Sequence, residues 1–246
     1  MATYVLVGGA WLGAWAWQDV AHRLRARGHD VYPLSLTGLG ERVHLGGPET
    51  DLETHLADVL NLLRYEDLSR TVLVGHSYAG IVVEGAADRA PDRLARLVCL
   101  DSAPLGDGAA HIDLYPPAVR ERMQETVARA GDGWRLPFPG FEALGERASL
   151  EGLSDTARRT MAAKAVAHPF GSYLQPLRLS GAGPGDYERV VIACNDFRAL
   201  LAAGVPQIVA LRGPGWRWLE LATGHWPMFS APDDLASLLH GLAPDE

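Results

Sequence analysis

Ser77 lies between Gly75 and Ala79 at the end of the aliphatic run Thr71-Val72-Leu73-Val74, and the alanine-rich stretch Ile81 to Ala90 follows at once. A β-branched run, a serine among small residues and a helical stretch read as strand, sharp turn and helix, a turn that exposes a hydroxyl on a strained backbone. The neighbours must be small because strand and helix cross closely there. Ala79 takes a place more often held by glycine, and Gly80 beside it lets the helix start near the strand. An ordinary strand-to-helix turn would look the same so far, so the reading depends on partners for the serine.

A serine alcohol is a poor nucleophile at neutral pH and needs an imidazole base oriented by a carboxylate. Thr223-Gly224-His225-Trp226 follows the last strand-like segment, which puts His225 on a loop at the carboxyl edge of a sheet as the expected base. Asp196, just past the apolar run ending at Ala193-Cys194, is the expected acid and completes the chain order Ser77, Asp196, His225. Asp101 is the rival, since it ends the strand next after the nucleophile's. His76 reads as a helper that packs and hydrogen-bonds. A tetrahedral intermediate needs two preorganised donors, and the expected pair is the amides of Tyr78 and Ala10, the latter in the small-residue loop after the first strand. Trp11, Leu12 and Trp226 flank these loops, and with Phe170 and Tyr173 they point to an apolar, aromatic-lined substrate pocket.

The elements that must carry these residues alternate. Tyr4 to Val7 reads as a buried strand; Trp17, Val20, Ala21 and Leu24 recur at helical spacing; and Gly28 stops that helix before a second strand over His29 to Leu34. Asp51 caps a helix reaching Tyr65, and Leu94 to Leu100 is another strand. Such alternation predicts an α/β fold, a mostly parallel central sheet with helices on both faces and active groups at the carboxyl ends of its strands. From Leu105 to Gly185 the pattern changes to prolines, glycines and short helices, such as Pro117 to Ala130 and Asp155 to Ala167, with no strand signal. The expected division is a core of residues 1–104 and 186–246 with a helical cap, 105–185, inserted before the last two strands. Tyr187 to Cys194 and Trp216 to Leu221 are those strands, with helices over Phe197 to Ala203 and Asp233 to Leu242.

Composition narrows the partners. At 246 residues and 48% hydrophobic content the chain can bury a sizeable core, and its net charge of −8 disfavours nucleic acid. A small-molecule substrate is expected, with a second copy of the chain left open as a homodimer. No metal-ligand spacing is present, and Gly8-Gly9 through Gly13 lacks the dinucleotide fingerprint, so neither metal nor cofactor is expected. Cys99 and Cys194 end apolar runs and read as buried free thiols; with no leader or membrane span in view, the expected location is cytoplasmic.

Taken together, the opening Tyr4 to Trp17, the segment Leu36-Thr37-Gly38-Leu39-Gly40-Glu41-Arg42, the elbow Val74 to Gly80, the fragment Pro169 to Leu177 and Gly224-His225 resemble the α/β-hydrolases of the branch that holds plant methyl esterases, hydroxynitrile lyases and bacterial esterases. The resemblance implies an α/β-hydrolase fold, a Ser-His-Asp triad and a helical cap over an apolar pocket. Two departures stand out: Gly8-Gly9 replaces the usual His-Gly, and Ala79 replaces the second glycine of the elbow; Trp226, moreover, stands where the lyases place a lysine. Three activities follow as expectations. The first is a serine hydrolase cleaving a small apolar or aromatic carboxylic ester through an acyl-enzyme. The second is a lyase or cyclase using the Ser-His pair for proton transfer, and the third a non-catalytic small-molecule binder.

Overall fold

Five residues of the amino terminus set the sheet. In the computed structural model, which describes residues 1–183 and 185–244, β1 (Thr3–Val7) is buried over almost its whole length. It is followed by α1 (Gln18–Ala26), β2 (Asp30–Leu34), α2 (Leu52–Tyr65), β3 (Thr71–His76), α3 (Ala79–Arg89) and β4 (Leu94–Leu100). Next come α4 (Pro117–Ala130), β5 (Arg135–Leu136), α5 (Gly140–Gly145), α6 (Asp155–Lys164), β6 (His168–Pro169) and α7 (Gly171–Leu174). After them lie β7 (Glu188–Ala193), α8 (Asn195–Ala202), α9 (Pro206–Ala210), β8 (Arg217–Glu220), α10 (Pro227–Ser230) and α11 (Pro232–His240).

Six strands form one parallel sheet in the order β2-β1-β3-β4-β7-β8. Successive side chains of a strand point to opposite faces, and the core divides accordingly. Val5, Val7 and Leu73 pack with Leu56, Val59 and Leu63 of α2 and Val82 and Val83 of α3. Tyr4, Leu6, Val72 and Val74 pack on the other face with Val20 and Leu24 of α1 and Leu235 and Leu239 of α11. Burial on both faces is why these strands read as unbroken apolar runs. Asp51 caps α2 as expected, its carboxylate accepting from the Thr54 amide at 2.9 Å. Among the described residues, no helix is long and apolar enough to cross a membrane.

The structure departs from the sequence expectation in two places that matter for the site. The segment between β4 and β7 is not purely helical: β5 and β6 pair antiparallel, Leu136 opposite His168. Two-residue strands are too short for periodicity to reveal. The helix after β7 also starts earlier than expected, at Asn195, so Asp196 falls in the first turn of α8 rather than on a free loop.

Candidate active site

The parallel register brings the chemistry together. His76 at the end of β3 pairs with Leu100 at the end of β4, and Leu100 with Ile192 of β7, so Ser77 and Asp101 leave the sheet side by side at its carboxyl edge. Ser77 adopts φ 52°, the strained left-handed conformation expected of an exposed hydroxyl on a sharp turn. The turn is held from β4: the Ser77 amide donates to Leu100 O (3.1 Å) and Ser102 Oγ donates to Ser77 O (2.6 Å). Close approach explains the small residues. A Cβ on Gly75 would stand 2.5 Å from Val83 Cγ2, and one on Gly80 would stand 2.0 Å from Ser102 Oγ.

His225 Nε2 lies 2.9 Å from Ser77 Oγ, and His225 Nδ1 lies 2.6 Å from Asp101 Oδ2. A carboxylate can only accept, so Nδ1 carries the proton and Nε2 is free to accept from the serine hydroxyl. Asp101 is itself fixed: φ is 43°, its side chain is fully buried, and Oδ1 accepts from the Cys194 amide at 2.9 Å.

The carboxylate on the imidazole is therefore Asp101, not Asp196 as the chain order led us to expect. Asp196 Oδ2 stands 3.9 Å from Nδ1, beyond hydrogen-bond reach. From the first turn of α8 its carboxylate instead accepts from the Ser149 amide at 2.8 Å, and burial raises its pKa above the ordinary aspartate value. Ser149 in turn accepts from the His225 amide at 2.9 Å, so Asp196 reaches the histidine loop through a neighbour. Gly224 is confined there, since a Cβ would lie 2.5 Å from Ser149 O. Asp101, Asp196 and His225 bring ligand atoms within 4.8 Å of one another, a convergence that spacing in the sequence could not reveal.

His76 plays the helper part. Its Nε2–H donates to the carbonyl of His225 at 2.7 Å, while Nδ1 is buried with no partner. Burial, and next the charge of neighbouring His225, push its pKa well below the ordinary imidazole value, so the ring is neutral. Of the amides expected as oxyanion donors, that of Tyr78 belongs to the residue after the serine, and Ala10 sits in the turn after β1, next to Gly9, where a Cβ would be 2.9 Å from both His76 Nδ1 and Ser77 Cβ. Neither amide donates to a group of the protein among the described residues.

Four of the expected pocket residues, Leu12, Phe170, Tyr173 and Trp226, are buried. Leu12 and Trp226 belong to the core on the α1 face, with Trp226 edge-on to His225 at 4.8 Å. Phe170 and Tyr173 belong to the other, where Tyr173 stacks on Tyr78 at 5.3 Å. Trp11 is half-buried against Phe138. Sequence reasoning missed His168, a buried residue whose ring lies 4.5 Å from that of Tyr78 and whose Nδ1 accepts from the Trp11 amide at 3.4 Å. A lone histidine before Pro169 carries no signal of such a role.

The model of the alpha/beta hydrolase family matches residues 4–238. A carbendazim-hydrolysing esterase of Nocardioides sp. (strain SG-4G) is 33% identical over 98% of this chain and all of that protein. Methylesterase 7 of Arabidopsis thaliana is 27% identical over 98% of this chain and 95% of its own length. In fold, the chain is similar to an extracellular alpha/beta-hydrolase from a Paenibacillus species, with a TM-score of 0.83, 21% identity and full coverage of both chains.

Proposed function

This chain belongs to the alpha/beta hydrolase family, and from that premise we propose that it cleaves a carboxylic ester of a small apolar or aromatic substrate through an acyl-enzyme on Ser77. The observation that carries the reading is the hydrogen-bonded line Asp101, His225, Ser77, with separations of 2.6 and 2.9 Å. His225 Nε2 takes the serine proton as Oγ bonds to the ester carbonyl carbon. The charge that develops on the carbonyl oxygen is met by the amides of Ala10 and Tyr78. Collapse of the tetrahedral intermediate breaks the ester C–O bond, and the departing alcohol takes the proton from His225. Water then repeats the sequence, giving its proton to His225, releasing the acid and restoring the serine.

In this reading Asp101 orients the imidazole and stabilises the imidazolium, and Asp196 secures the histidine loop through Ser149. Trp11 and Trp226, beside the donor loop and the base, favour an apolar or aromatic substrate group. The segment 105–185 acts as the cap over it. A cytoplasmic location is supported by two buried, unpaired thiols, Cys99 and Cys194.

Mass spectrometry after fluorophosphonate treatment, with p-nitrophenyl acetate turnover in parallel, tests the proposal. Ser77 should be labelled, and Ser77→Ala should abolish both labelling and turnover. Asp101→Asn should lower kcat by about 10⁴-fold, as loss of the tautomer-setting acid does in other triads, while Asp196→Asn should cost about tenfold or less. The reverse ranking would return the acid's role to Asp196, and an unlabelled Ser77 in a folded protein would sink the hydrolase mechanism.

A further inference from the structure

Trp11, the residue after the proposed donor Ala10, has φ 65°, a conformation that strains a side-chain-bearing residue and persists only where its surroundings impose it. The surroundings here are a single region of the chain. The Trp11 amide donates to His168 Nδ1 (3.4 Å), its carbonyl accepts from the Val166 amide (3.2 Å), and its indole N–H donates to Leu136 O (3.0 Å). Leu136 and His168 are the paired residues of the β5–β6 ladder, so all three polar groups of Trp11 are held by that ladder and the residues leading into it.

His168 is prepared for this part. Its Nε2 lies 2.9 Å from Ser172 Oγ, and that hydroxyl gives its own proton to Pro169 O at 2.8 Å. Ser172 can therefore only accept from His168, which fixes the Nε2–H tautomer and leaves Nδ1 as an acceptor aimed at Trp11. The same ring stands edge-on to Tyr78 at 4.5 Å, and the Tyr78 hydroxyl is tied to His55 Nδ1 at 2.8 Å. One imidazole thus touches the residues on both sides of the oxyanion position: Tyr78, which carries one donor, and Trp11, which sets the peptide beyond the other.

We infer that His168 is a positioning residue for the oxyanion site, holding Trp11 and through it the Ala10 amide against the elbow. The inference rests on the acyl-enzyme reading above. His168 touches no reacting atom; it determines where one of the two donors points.

The test uses full-length protein and p-nitrophenyl acetate. In His168→Phe the ring packing is kept and the acceptor lost, and kcat should fall by about 10- to 100-fold with KM within about twofold, as for a displaced oxyanion donor. His168→Asn, whose Oδ1 can occupy the place of Nδ1, should recover most of that loss. Affinity for an aryl trifluoromethyl ketone, which forms a hemiketal at Ser77, should drop in proportion to kcat/KM. Should the Phe variant not fold, Ser172→Ala provides a second route: by releasing the tautomer it should lower kcat a few-fold with KM unmoved. A folded Phe variant with wild-type kcat, an Asn variant no better than Phe, or an unchanged Ser172→Ala enzyme overturns the inference and leaves the esterase standing. Wild-type protein that neither turns over the ester nor is labelled at Ser77 removes the esterase reading and this inference with it.

Discussion

The two turns that flank the proposed oxyanion are built by opposite means. The elbow around Ser77 is held by its own strand and helix and by the adjacent strand: Gly75 beneath Val83, Gly80 beneath Ser102, the serine amide on Leu100. The loop after β1 is held from far away in sequence, by Leu136, Val166 and His168. A turn held locally is right as soon as its strand and helix form, whereas one held at long range is right only when the distant segment is docked. The two meet at Gly9, where a Cβ would stand 2.9 Å from Ser77 Cβ. The difference teaches where activity and folding should separate: damage to the elbow is damage to the core, and damage to the loop can spare the core and still misplace a donor.

Acid should break the contrast, and with the largest effect, because both turns rely on neutral buried imidazoles. His76 serves the elbow and His168 the loop, with burial lowering both well below the ordinary value. His55 and His111, near His168, are pushed down to about 4 and about 3 by burial. A histidine whose folded pKa is depressed binds its proton more readily in the unfolded chain. Its contribution is therefore intact above the ordinary imidazole value near 6.5 and is lost as pH falls from there towards the folded value. For His55 the full loss is on the order of 3 kcal/mol, from about 1.4 kcal/mol per unit. The urea midpoint should fall steeply between pH 7 and pH 5, and less steeply in His55→Gln. The carboxyls of Glu84 and Asp196, raised by burial, act in the opposite sense, so the wild-type and His55→Gln curves must be compared directly. Superimposable curves would mean that the imidazole is not protonation-linked to folding.

Gly75→Ala should sharpen the contrast from the elbow side. The new methyl would meet Val83 Cγ2 at 2.5 Å and Ala79 O at 2.6 Å, and the carbonyl belongs to the helix backbone, which cannot turn aside as a flexible side chain would. Overpacking of this kind costs about 1–3 kcal/mol. Moving the nucleophile by about an ångström should cost about 10²-fold in kcat/KM. Thermal unfolding and ester kinetics on one preparation would register both losses. An inactive enzyme with an unchanged melting temperature would show that elbow and core are not one structural unit.

The same division explains what could be read from the sequence. Strand, elbow and helix around Ser77 were legible because their constraints are local: small residues where backbones cross, an apolar run buried on both faces, a helix directly after. Asp51 as a cap and His225 on its loop were legible for the same reason. The identity of the hydrogen-bonded carboxylate was not, because it depends on register between strands: Asp101 leaves β4 directly beside Ser77, while α8 begins one residue before Asp196 and its first turn commits that carboxylate to Ser149. His168 was invisible on the same principle, since its role arises from a two-residue ladder with no periodicity and from a contact 157 residues away in the chain.

The smallest effect should come from the loop's own sequence. A Cβ on Gly8 would meet Leu12 Cβ at 3.3 Å, a contact relieved by a shift of a few tenths of an ångström, and Gly8 does not occupy the left-handed region. Replacing glycine by alanine at a compatible position stabilises by about 0.4–1 kcal/mol through the unfolded chain, enough to offset the tight contact. Gly8→Ala should therefore leave the unfolding free energy within about 1 kcal/mol of wild type and kcat nearly unchanged, because Trp11 is anchored by the β5–β6 ladder and not by residue 8. A large loss of kcat in a folded Gly8→Ala protein would show that the loop takes its shape from its own packing, and the contrast between a locally built elbow and a remotely held loop would then be wrong.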